Sequence, residues 1–179
     1  MQQGNRTFAY TSHIAIDKAQ TIQEHDESQD EIKIYSDGSV HGGGVGAAVI
    51  LYRQGKELWS LTYHLGSDKH HTVYEAEIVR LTLAVQLLIH ERSMTSPISI
   101  FIDNKAAILS GANPSSSAGS YLIGKFIRLT HALKEKYTDQ ELNLQLLVRW
   151  IPGHAGVPGN EKADEEAKRA AESPNNFSA

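Results

Sequence analysis

The chain has 179 residues, 40% of them hydrophobic, and a formal net charge of −4, which suits one globular domain with a true core and leaves two domains cramped. It contains no cysteine, which excludes disulfides, a thiolate nucleophile and cysteine-ligated zinc, so any metal must sit on oxygen or imidazole. No apolar run approaches the roughly 18 residues of a membrane span, and the start MQQGNRTFAY lacks the layout of a secretory signal, so an intracellular protein with no membrane partner is expected.

The charge is unevenly spread. Residues 1–31 hold two basic against six acidic side chains, and the rest of the chain balances at fifteen of each. Residues 1–30 end in the polar run QEHDESQDE and lack sustained periodicity, which reads as a flexible tail or linker, with the domain starting at Glu31.

From there EIKIY alternates as a strand, GVGAAVILY reads as a buried strand, and KELWSLTYHL alternates again, three consecutive strands joined by Gly-containing turns. Thr72 caps a helix running to about Glu91, because Ile78, Leu81, Ala84, Val85, Leu88 and Ile89 recur at helical spacing. ISIFI is a short apolar strand, followed by a helical start over Asn104 to Leu109 and the breaker region GANPSSSAGS. A helix fits Tyr121 to Tyr137, where Lys125, Arg128, His131, Lys134 and Lys136 face one acid, Glu135; a solvated helix face explains that stretch as well as a nucleic-acid contact does. LNLQLLVRW is a strand, IPGHAGVPGN a Gly/Pro loop, EKADEEAKRAAE a closing helix, and 173–179 a frayed tail. The order predicts an α/β fold with a five-stranded mixed sheet, its first three strands antiparallel, flanked by helices.

Asp37 follows EIKIYS and Asp103 follows ISIFI, so both stand at strand ends, where open α/β sheets collect their sites. Singly, the first is equally an Asp-Gly turn and the second a helix cap. Glu77 lies at the edge of an apolar stripe, where a carboxylate needs a partner or a metal, with Glu75 as an immediate competitor.

The stretch WIPGHAGVPGNEKAD is the most specific. His154-x-Gly156-x-x-Gly159-Asn160-Glu161-x-x-Asp164 resembles the loop and last helix of type 1 ribonuclease H, including domains fused to reverse transcriptases. YS-Asp37-GS resembles that family's first-strand motif, Glu77-IVRLTLA its first-helix motif and I-Asp103-N its fourth-strand motif, all in family order across residues 31–172. The style of this stretch resembles domains carried by non-LTR retrotransposons, especially fungal ones, more than free cellular enzymes.

The resemblance implies an RNase H-like fold that cuts the RNA strand of RNA/DNA hybrids. Asp37, Glu77, Asp103 and Asp164 would hold two Mg²⁺ ions, with Mn²⁺ as a substitute, and one ion would activate water while the other stabilises the leaving oxygen. It assigns His154 proton transfer or product release, Gly38, Ser39 and Asn104 hybrid contacts, and Asn160 and Glu161 loop fixing, with Asn160 also a candidate helix cap. A fused or associated reverse transcriptase domain is the implied partner. Three positions depart from the family pattern. Val73 and Tyr74 stand where polar groove readers are common, and Arg80 stands where a small residue is common and either pairs with Glu77 or points outward. These departures keep a catalytically weak binding module as an alternative, beside a DNA-cutting nuclease of the same fold.

Overall fold

Two-residue turns organise the first half of the chain. In the computed structural model, which describes residues 9–92, 95–105 and 117–172, strands β2 (Ile32–His41), β3 (Gly44–Arg53) and β4 (Lys56–Ser67) form an antiparallel meander. Gly42 and Gly43 connect the first pair, and Gln54 and Gly55 the second. All four have positive φ, the twist a tight hairpin requires. Strand β5 (Ile98–Ile102) adds parallel to β2, and β6 (Leu146–Trp150) parallel to β5. A short β1 (Thr11–His13) adds parallel to β6, giving the order β1-β6-β5-β2-β3-β4.

The mixed α/β architecture is as expected, with six strands where five were predicted. The extra strand and helix α1 (Lys18–Glu27) both fall within residues 1–30, the stretch read as a tail. Their apolar content is sparse but well placed: Ala9 and Ala15 are buried, Tyr10 and Ile14 pack on one core, and Ile22 on the other. Asp17 caps α1 by accepting from the Gln20 amide at 2.8 Å. An acidic composition signals solvation of one face and is blind to a three-residue edge strand.

Helix α2 (Val73–His90) starts where the spacing placed it. Thr72 accepts from the Glu75 amide and the Glu75 carboxylate returns to the Thr72 amide, a complete capping box. Helix α3 (Ser117–Asp139) begins inside the stretch read as a breaker, and α4 (Pro158–Glu172) closes the chain. Of the helical start expected over Asn104 to Leu109 only Asn104 and Lys105 are described, and the tail from residue 173 lies outside the described residues. No helix among the described residues is long and apolar enough to cross a membrane.

Strand alternation divides the interior into two cores. Ile32, Ile34, Val49, Leu51, Ile98, Ile100 and Ile102 share one cluster with Leu81, Val85 and Leu88 of α2 and Phe126 and Leu133 of α3. Tyr35, Ile50 and Phe101, one residue out of phase, share the other with Val157 and Ala163. On that second face α4 approaches unusually closely. A Cβ on Gly46 would come within 2.3 Å of the Ala167 carbonyl oxygen and 2.4 Å of the Ala171 amide nitrogen. Bare glycine on β3 and buried Ala163, Ala167, Ala170 and Ala171 on α4 let helix and sheet meet backbone to backbone.

Candidate active site

Parallel register between β2 and β5 creates the site. Ser36 is opposite Ile102, so the next residues along, Asp37 and Asp103, stand side by side. Asp37 is not at a strand end as expected but inside β2, which runs on to His41 through its pairing with β3, while β5 stops at Ile102. Asp103 is fixed from behind: the Trp150 indole donates to its carbonyl at 3.0 Å and the Ile151 amide donates to that of Ile102 at 2.8 Å. Lys105 lies 3.8 Å over the Trp150 ring.

The structure also separates Glu77 from Glu75. The latter is consumed in the capping box, whereas Glu77 is 5% exposed and accepts a hydrogen bond from the Asn104 amide group. Asn104, expected to face nucleic acid, is therefore engaged with Glu77. Gly38 lies where β2 passes the first turn of α2, since a Cβ there would sit 3.0 Å from that of Ala76.

Between Asp37 and Asp103 lies Arg80. Its Nη1 donates to Asp37 Oδ1 at 3.1 Å, to Asp103 Oδ1 at 3.2 Å and to the Ser36 carbonyl at 2.9 Å. The residue is 0% exposed. Neither expectation for Arg80 holds, because it pairs with the strand aspartates instead of Glu77 and points into the protein instead of outward. Ala76 and Ala84, four residues either side, are fully buried as well, so Arg80 lies on the inward stripe of α2. That alanine–arginine–alanine stripe was visible in the sequence and was the one signal that Arg80 faces inward.

Asp164, on α4, is held by Lys168 one turn on, Nζ to Oδ2 2.6 Å. The loop before it passes against the aspartates: a Cβ on Gly153 would be 3.3 Å from Asp103 Oδ2. His154 is next, exposed and at φ +53°. Glu161 fixes the loop by accepting from the Gly156 amide at 3.1 Å. Asn160 does not cap α4, which starts at Pro158; it is buried in the first turn, its amide donating to Val157. Ser39 is half-buried on β2 and Tyr74 half-buried on α2, while the side chain of Val73 lies outside the described ones.

Burial dominates the electrostatics. The Asp37 carboxyl is pushed up to about 7, first by desolvation and then by Asp103, with Arg80 and the Gly38 amide pulling the other way and Asp164 adding a last increment. Glu77 is also raised, again by burial first, against the Arg80 charge and the Asn104 hydrogen bond. For both groups loss of water is the larger cause, ahead of the repulsion from neighbouring carboxylates. Lys168 is held above the ordinary lysine value by its bond to Asp164.

Carboxylate oxygens of this kind suit magnesium or manganese chemically. As arranged they do not fit an ion between Asp37 and Asp103, because one guanidinium nitrogen already takes an oxygen of each. Among the described residues no three acidic or histidine side chains are grouped to hold a metal ion. The expected cluster of four free carboxylates is instead an Asp37–Arg80–Asp103 bridge, a Glu77–Asn104 pair and an Asp164–Lys168 pair.

A family model described as RNase H matches residues 29–172, most of the chain. The chain belongs to the RNase H family. It is 31% identical over 153 residues to a ribonuclease H of Dichelobacter nodosus, covering 79% of this chain and 93% of the relative. A ribonuclease H of Haemophilus influenzae is 30% identical over 154 residues, covering 82% and 93%. Among solved structures, a compost-derived LC11 RNase H1 superposes with a TM-score of 0.58 at 21% identity, covering 79% of this chain and 95% of that one. The prototype foamy virus protease–reverse transcriptase superposes with a TM-score of 0.60 at 18% identity, over 80% of this chain and 21% of its own. The expected fold and the expected enzyme class, a ribonuclease H, are both borne out.

Proposed function

We propose that this chain is an endonuclease of type 1 character that hydrolyses the RNA strand of RNA/DNA hybrids. The observation that carries the reading is the register that sets Asp37 beside Asp103, with Glu77 buried next to them and the His154 loop against Asp103. These side chains stand on three separate elements and a loop, yet occur in the family's order along the chain. In this reading Asp37, Glu77, Asp103 and Asp164 would hold the divalent cations, which would supply the positive charge that faces the reacting phosphate. His154, exposed on the loop that follows Gly153, would move a proton at the leaving oxygen. Gly38 and Ser39, half-buried on β2, contact the hybrid. Uptake of two Mg²⁺ or Mn²⁺ ions, which the resemblance implies, requires the Arg80 guanidinium to yield the oxygens it holds.

The finer part of the proposal is a domain working with a reverse transcriptase, of the kind carried by retroelements. Charge supports this. Beyond Glu31 the chain is balanced, and the α3 basic stretch is weaker than its composition suggests, because Lys136 donates to the Ile89 and Glu91 carbonyls at 2.8 and 2.7 Å at the end of α2. Phosphate attraction by the domain alone is therefore modest, and hybrid affinity is expected to rise when the polymerase domain is supplied; equal affinities would count against the partner.

The activity is tested by incubating the protein with labelled RNA/DNA hybrid, single-stranded RNA and duplex DNA in Mg²⁺ or Mn²⁺, beside Asp103→Asn. Cleavage confined to the RNA of the hybrid, and slowed at least about a hundredfold by Asp103→Asn, is the expected result. Cutting of duplex DNA, or undiminished cutting by the variant, would sink it. One observation, the buried Arg80 bridge, favours a second reading in which the hybrid is bound but scarcely cut, and the same assay separates the two.

A further inference from the structure

We infer that Arg80 is a resident cation of this site, standing where a divalent ion would bridge Asp37 and Asp103, so that the site folds metal-free and takes up metal only when the guanidinium withdraws. The inference deepens the functional reading above and rests on its identification of these carboxylates as the ion-binding face. Three observations carry it. First, a single nitrogen, Nη1, is shared by both aspartates and the Ser36 carbonyl. A divalent ion bridging Asp37 and Asp103 needs the same oxygens, and two cations at that spacing repel, the more so because Arg80 and Asp37 are buried. Second, Arg80 is fully buried on the inner stripe of α2 between Ala76 and Ala84, so its charge depends on these partners. Third, its Nε and Nη2 are buried with no hydrogen-bond partner among the described residues. A guanidinium with two of its three nitrogens unsatisfied is held less firmly than a bidentate pair.

The consequences are specific. Arg80 performs for folding what an ion performs in a site of free carboxylates: it offsets the repulsion between Asp37 and Asp103. It also sets a competition, since metal affinity is reduced by whatever free energy is needed to expel the guanidinium. Removing Arg80 should thus weaken the metal-free protein and strengthen its hold on metal, two effects of opposite sign that an ordinary packing role would not produce together.

The test uses the whole chain without nucleic acid. Metal-stripped wild type, Arg80→Ala and Arg80→Lys are titrated with Mn²⁺ by calorimetry, and their thermal unfolding is followed with and without the ion. Arg80→Ala is expected to unfold at a lower temperature without metal, to bind Mn²⁺ at least about tenfold more tightly than wild type, and to show the larger ion-induced rise in melting temperature. Wild-type affinity equal to or tighter than that of Arg80→Ala would overturn the inference. Should Arg80→Ala fail to fold, the wild type decides the matter. The Arg80 Nε–H resonance should move saturably as Mg²⁺ is added, and a resonance unmoved at ion saturation would overturn the proposal. Because no hybrid is present, failure of hybrid cleavage would fall on the functional reading and leave this result standing.

Discussion

Asp37 makes the folded chain sensitive to pH in a direction unusual for an aspartate. Its carboxyl titrates at about 7 in the folded protein, against an ordinary 3.8. Burial, first among the causes, favours the neutral form, so the folded state holds a proton that the unfolded chain has already released. Stability from this group is fully present below the unfolded value and is lost as pH rises through about 7, the reverse of an aspartate whose ion pair outweighs its burial. Between roughly pH 5 and pH 8 the linkage amounts to about 2–3 kcal/mol, from the two titration points and 1.36 kcal/mol per tenfold step. Asn at position 37 keeps the shape and the oxygen that accepts from Arg80 but cannot titrate. Urea unfolding of wild type and Asp37→Asn in chelator-containing buffer across that range is the assay. Wild type should lose stability toward alkaline pH while the variant stays flatter, keeping only a residual slope from Glu77, which is raised by burial in the same sense. Parallel curves would refute the reasoning, because they would mean that Arg80 outweighs desolvation and Asp37 is ionised throughout.

Two further changes test how the fold positions the site. Gly46→Ala drives a methyl into the α4 backbone at 2.3 Å, which no side-chain rotation relieves. It should cost about 1–3 kcal/mol or more by calorimetry and also displace Asp164, so hybrid cleavage should fall further than the unfolded fraction explains; a melting point and activity equal to wild type would count against the close packing. Deleting residues before Glu31 removes β1, the outer of the two strands paired with β6, and the His25 ring, whose Nε2 lies 2.6 Å from the Tyr35 hydroxyl and whose plane meets Phe101 edge-on at 5.0 Å. A clear drop in melting temperature is expected, whereas an unchanged one would restore the reading of this stretch as a tail.

Much of the site was legible because it is written in local signals. The Gly/Pro loop, the acidic start of the last helix and the blocks around Asp37, Glu77 and Asp103 occur in one order, and that order pointed to the family the chain belongs to. Helix α2 was legible for the same reason, since a capping residue and a 3.6-residue repeat lie within a few turns of each other. Illegible were the contacts that join distant segments. Arg80 lies more than forty positions from Asp37, and its partners depend on strand register, on the two alanines beside it and on the sheet burying its face. The Trp150 indole reaches the Asp103 carbonyl across 47 positions, whereas the Lys168–Asp164 pair, four residues apart on one helix, is local.

The sequence by itself determined the order of the described strands and helices from Glu31 onward, the family, and which acids compete for the site, because turn chemistry, periodicity and short motifs act over a few residues. Only the tertiary structure decided that N-terminal residues from Ala9 onward belong to the sheet and its two cores, that Glu77 is buried beside Asn104, and that a guanidinium stands between the two strand aspartates. Each of those outcomes turns on burial and on charge at distances of about 3 Å between segments far apart in the chain, and such distances exist only once the chain has folded.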